Sequence, residues 1–117
     1  MKRLAIIVVA LLLFISCSKE NDQKQICNLA DPINELPWLK EIKSSLTNCT
    51  SEVSIVQATY QSQTVFYTAI TDPLFDGIQS YTLLNCEGKV VEIINADNMQ
   101  NFLANISDVK NLYRCQK

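Results

Sequence analysis

The sequence predicts an α+β domain: an antiparallel sheet of four to five strands, with an N-terminal helix and a short C-terminal helix on one face, braced by disulfides. Three observations carry this expectation. Apolar residues recur with helical spacing over 34–46, β-branched and aromatic residues dominate from residue 53, and Cys27, Cys49, Cys86 and Cys115 spread across the same stretch.

The elements follow in order. In "DPINELPWLKEIKSSL" Asn34 is placed to cap, Glu35 suits the positive end of a helix, and Pro37 is tolerated in a first turn. Trp38, Leu39, Ile42 and Leu46 fall on one face, which predicts a helix from about 34 to 46. "VSIVQATY" (53–60) and "TVFYTAI" (64–70) read as strands joined by the loop 61–63. "TDPLFDGIQS" (71–80) carries Asp-Pro and Asp-Gly turn signals. "YTLLNC" and "KVVEII" then flank Glu87-Gly88, a two-residue turn with glycine where a positive φ is required. Met99, Phe102, Leu103 and Ile106 repeat at helical spacing behind Asp97 or Asn98 as cap, and "KNLYRC" returns as a fifth strand.

Ahead of this domain the chain begins Met1-Lys2-Arg3 and carries no charge from Leu4 to Ile15. That run would span about 18 Å as a helix, short of the roughly 30 Å hydrocarbon core, so residues 1–16 read as a secretory signal and not a membrane span. "FISC" (14–17) resembles the lipobox of bacterial lipoproteins, with Phe14 where Leu is usual. The resemblance implies lipidation of Cys17, which becomes the mature N-terminus and leaves an even four cysteines. "SKEND" (18–22) is similar to the Lys-plus-acid signal that sends lipoproteins of Bacteroidota to the outer face of the outer membrane. Residues 17–26 form a polar tether that reaches roughly 30 Å when extended, and residues 27–117 form the domain.

Cleavage before Cys17 leaves 101 of the 117 residues, with 8 basic against 12 acidic side chains. No basic stripe exists to hold a phosphate backbone, so nucleic acid is not expected as a partner. A core this small benefits from disulfides in an oxidising compartment. The four cysteines allow three connectivities; Cys49–Cys86 with Cys27–Cys115 would staple both chain ends to the sheet. Zinc is disfavoured, because the chain has no CxxC pair and no histidine.

The segments "NELPWLKEI", "TYQSQTVFY" and "YTLLNCEGKVVE" resemble a family of small cysteine-containing Bacteroidota lipoproteins over roughly residues 31–94. There a Leu-Pro-Trp-Leu helix precedes a short sheet that ends in a Tyr-x-Leu-x-(Asp/Asn)-Cys-x-Gly hairpin. Beyond residue 94 this chain departs from it, since a second helix replaces the expected Gly-rich, Cys-containing tail. The resemblance implies an address and a fold and carries over no catalytic residue.

The absence of histidine removes Ser-His-Asp, Cys-His and His-ligated metal chemistry. The two glycines, Gly77 and Gly88, cannot build a phosphate loop, and Cys115 is the one cysteine beside a cation, Arg114. Asp72 and Asp76 flank "PLF" as turn residues more readily than as an acid–base or calcium pair. No catalytic residue, metal ligand or cofactor is therefore expected. Trp38 reads as core before ligand platform, and Tyr60, Tyr67 and Tyr81 as sheet packing before an exposed ladder. Two N-x-(S/T) triplets, at Asn48 and Asn105, are chance matches in a bacterial lipoprotein.

The remaining expectation is a non-catalytic binding or accessory module at the cell surface, held to the membrane through Cys17 and serving a protein or glycan partner. An inhibitor of a secreted enzyme, inserting loops 61–63 and 71–80, and a structural envelope lipoprotein are the alternatives. The apolar tip Leu74-Phe75 is the candidate contact, and its exposure is the discriminating observation.

Overall fold

The computed structural model describes residues 26–75 and 77–116. The expected signal segment, Cys17 and the expected tether up to Gln25 lie outside the described residues, as does Asp76.

The elements run α1 (Pro32–Glu35), α2 (Pro37–Ser45), β1 (Val53–Tyr60), β2 (Gln63–Ile70), β3 (Tyr81–Leu84), β4 (Val90–Ile94), α3 (Met99–Asn105) and β5 (Ile106–Cys115). The strands form one sheet in the order β4-β3-β2-β1-β5, antiparallel at every junction. The domain is α+β.

The single helix expected over 34–46 is two. Leu36 is extended (φ −107°, ψ 107°) because the Pro37 ring disfavours helical geometry in the residue before it. Asn34 does not cap; it donates to the Asp31 carboxylate at 2.6 Å, while the Asp31 N–H donates to Glu35 Oε2 at 2.8 Å.

The helices also lie on opposite faces, not one. On the first face Val56, Ala58, Tyr60, Val65, Tyr67, Leu83 and Ile94 pack with Phe102 of α3. On the second, Ile55 and Phe66 pack beneath Ile33 of α1 and Leu39 of α2. The central strands β1 and β2 are thus covered on both sides, which is why apolar residues occupy both parities in "VSIVQATY" and "TVFYTAI".

Two connections differ from expectation. The β1–β2 turn is two residues, Gln61 and Ser62, because Tyr60 pairs with Gln63. The β3–β4 connection is five, 85–89, closed by the Asn85 N–H donating to the Lys89 carbonyl at 2.9 Å. The Asn85 side chain also accepts from the Glu87 and Lys89 N–H groups. The fifth strand begins at Ile106, earlier than its apolar residues suggest, and bulges twice along β1.

The disulfides are Cys27–Cys86 and Cys49–Cys115, not the expected pairing. The register explains the exchange. Cys115 sits opposite Val53, so it lies at the sheet end where Cys49 leads into β1. Cys86 follows Leu84, the partner of Phe66, at the other end, where the Cys27 N–H donates to Thr64 Oγ1 at 3.1 Å. Each end of the sheet carries one bridge.

Candidate functional site

The loop 71–80 leaves β2 at the end of the sheet opposite the Cys27 entry point. Its root is tied down by polar contacts. The Thr71 N–H donates to the Glu52 carbonyl, its hydroxyl donates to Glu52 Oε1 at 2.9 Å, and Ser54 Oγ lies 2.9 Å from the same hydroxyl. Arg114 Nε holds Glu52 Oε1 at 3.1 Å from β5.

The outgoing side of the loop is fixed differently. Gln79 mimics a strand partner: Ile70 N–H donates to its Oε1 at 2.8 Å, and its Nε2 donates to the Ile70 carbonyl at 2.9 Å. Between these anchors Asp72 closes a tight turn. Its Oδ1 accepts the Leu74 N–H at 3.0 Å, and its carbonyl accepts the Phe75 N–H at 3.0 Å, with Pro73 pre-set for the bend. Asp72 therefore serves the turn.

Held this way, the loop presents Leu74 and Ile78, each 84% exposed, and Phe75 at 38%. The Phe75 ring lies over Gly77, where a Cβ would come within 2.6 Å of its Cζ, so this position has no room for a side chain. Beside the tip a cleft of about 360 Å³ runs between Ile78, Gln79 and the end of β2. Thr68 is shared with a second cleft of about 260 Å³, an apolar one on the second face between Leu39 and Ile42 of α2 and Thr82 and Leu84 of β3. Val90 and Ile93 of β4 are exposed beyond it.

Comparison of the chain with family models, with curated proteins and with solved structures returned no match.

The sequence-predicted residues separate into tip and scaffold. Leu74 and Phe75 belong to the exposed tip; Ile78 joins them and was missed, its only signal being an isolated apolar residue inside a polar loop. The loops 61–63 and 71–80 lie at opposite ends of the sheet, so they cannot enter one cleft together. Trp38 is scaffold. It meets Phe66 edge-on at 5.5 Å, donates from Nε1 to the Cys86 carbonyl at 3.2 Å, and rests on Gly88.

The tyrosines are scaffold too. Tyr60, Tyr67 and Tyr81 surround Phe102 at centroid distances of 5.2, 5.6 and 6.0 Å. Burial pushes all three phenols above their ordinary value; the Glu92 carboxylate, which accepts the Tyr60 hydroxyl at 3.1 Å, adds to the rise at Tyr60. Among the described residues no group of three or more His, Cys, Asp or Glu side chains is placed to hold a metal. Nor is any helix among them long and apolar enough to cross a membrane.

Proposed function

We propose that this protein is a lipid-tethered, non-catalytic docking module that presents loop 71–80 to a protein partner at the bacterial outer surface. One observation carries the reading: the exposed apolar residues Leu74, Phe75 and Ile78 stand at the sheet end away from the point where the chain enters at Cys27. The eight residues of β2 separate the two ends by about 26 Å. An apolar tip whose backbone is already hydrogen-bonded loses little conformational freedom on binding, which favours affinity. The address rests on the lipobox-like "FISC", the "SKEND" run and the even number of cysteines left once Cys17 is acylated.

The same tip supports a second reading, an inhibitor that inserts loop 71–80 alone into the cleft of a secreted hydrolase.

The test is photo-cross-linking on intact cells from a photoreactive side chain at position 74, with position 40 on exposed α2 as control. The docking reading predicts a discrete adduct from 74 that weakens when Ile78 becomes Ser. Equal labelling from 74 and 40 would reject it. A hydrolase in the adduct, with activity that falls when the pure protein is added, would select the inhibitor. Labelling that requires cell lysis would remove the surface assignment.

A further inference from the structure

The opposite end of the sheet carries a different chemistry. Gln61 and Ser62 stand at φ 51° and 63°, two consecutive left-handed residues in the turn between β1 and β2. Such a turn is built at least cost from Asn-Gly, and neither Gln nor Ser enters it freely. With Tyr60 and with Asn101 and Asn105 of α3, these two residues line a cleft of about 490 Å³. That volume lies in the range of small-ligand pockets, roughly 300–1,000 Å³.

The polar groups of the cleft are partly organised and partly unspent. Asn105 Nδ2 donates to the Asn101 carbonyl at 2.6 Å and to its Oδ1 at 3.0 Å. This orients the two amides and leaves Asn101 Nδ2 and Asn105 Oδ1 available. The side chains of Gln61 and Ser62 make no hydrogen bond within the described residues, whereas the Tyr60 hydroxyl is committed to Glu92.

None of the five lining residues ionises near neutrality. A phosphate or carboxylate would meet no countercharge among them, and the Glu92 carboxylate held by the Tyr60 hydroxyl would repel both. A flat apolar ligand, or the apolar side chains of a peptide, would leave the amides unpaired. Each amide offers a donor beside an acceptor, and a hydroxyl is both at once, so a row of amides matches neighbouring hydroxyls. We infer that this cleft is a binding site for a neutral saccharide, and that the side chains of the costly Gln-Ser turn contact the sugar. The site is separate from loop 71–80 and does not depend on the docking reading.

The test uses the full chain on an array of neutral oligosaccharides, comprising α- and β-linked hexose, pentose and N-acetylhexosamine chains. Hits are then titrated while the Asn and Gln side-chain amide signals are followed by NMR. Saturable shifts at Gln61, Asn101 and Asn105 are expected. Asn101→Ala with Asn105→Ala, both exposed, should weaken binding at least about tenfold with the melting temperature unchanged. Gln61→Asn with Ser62→Gly should melt higher and bind more weakly, which separates lost contact from lost fold. Silence across the array, or binding that survives both double variants, overturns the proposal. Leu74→Ser with Phe75→Ser should leave saccharide binding intact; its loss there would place the sugar on the docking loop and overturn this site.

Discussion

Gly88→Ala tests whether the helix and the β3–β4 connection are locked together through Trp38. Gly88 sits at φ 79°, and a Cβ built there falls 2.9 Å from Cγ and Cδ2 of the Trp38 ring. Three costs add. An L-residue in the left-handed region costs about 1 kcal/mol or more. Moving the ring stretches the Nε1–H bond to the Cys86 carbonyl, worth about 1 kcal/mol. It also tilts the edge-on contact with Phe66, worth about 1 kcal/mol beyond buried area. The expected loss is about 3 kcal/mol, which for a domain of this size lowers the melting temperature by about 15 °C. Urea unfolding of the single variants and the Trp38→Ala/Gly88→Ala pair measures this. The clash should vanish when Trp38 is already Ala, leaving only the backbone cost of about 1 kcal/mol. A Gly88→Ala loss equal in both backgrounds would refute the lock.

Three further outcomes follow from the same packing. Breaking either disulfide by Cys→Ser exchange of both partners removes a bridge across 59 or 66 residues, so each should cost about 4 kcal/mol in denaturant unfolding on the loop-entropy model. Phe102→Ala empties the centre of the aromatic cluster on the first face and should cost about 3–5 kcal/mol, read by thermal melting. The raised phenol pKa values of Tyr60, Tyr67 and Tyr81 favour the protonated form in the fold. Their contribution to stability is complete below the ordinary value of 10.0 and is lost as pH climbs through the raised folded values. Urea midpoints should therefore fall only on the alkaline side of that value, and Tyr67→Phe should soften the fall.

Local chemistry made most of the fold legible. Runs of β-branched and aromatic residues between turn signals located four strands, and Met99, Phe102 and their neighbours located α3. What stayed hidden depended, Leu36 apart, on contacts distant in sequence. Leu36 breaks the helix through the stereochemistry of a single proline, a signal present in the sequence but outvoted by the apolar periodicity. The disulfide pairing follows from which strand termini share an end of the sheet, and for Cys115 that depends on β5 turning back along β1. The placement of α3 on the far face was encoded only in the double parity of β1 and β2, since a strand covered on one side would not carry Ile55 and Phe66 opposite Val56 and Val65. The tip of loop 71–80 was read from Leu74 and Phe75, whereas the polar cleft at Gln61 was not. Its four polar side chains come from a turn and a helix about forty residues apart, and nothing local links them.

The bridges also decide how a surface-held protein would bear force. If the membrane holds the chain ahead of Cys27 and a partner holds the tip at Leu74, tension needs a continuous covalent route between them. Through Cys27–Cys86 that route enters the β3–β4 connection, runs back along β3 from Leu84 to Tyr81, and reaches Ile78 and Phe75 directly. It bypasses α1, α2, β1 and β2, which hold most of the hydrophobic core. Without the bridge the only route is the whole chain from Cys27 to Thr71, and tension would peel the helices and β1 from the sheet before it reached the loop. The bridge therefore directs load into β3, which carries Leu83 into the core, in place of α1, α2 and β1. Load there is shared with β4, which pairs with all four β3 residues from Tyr81 to Leu84.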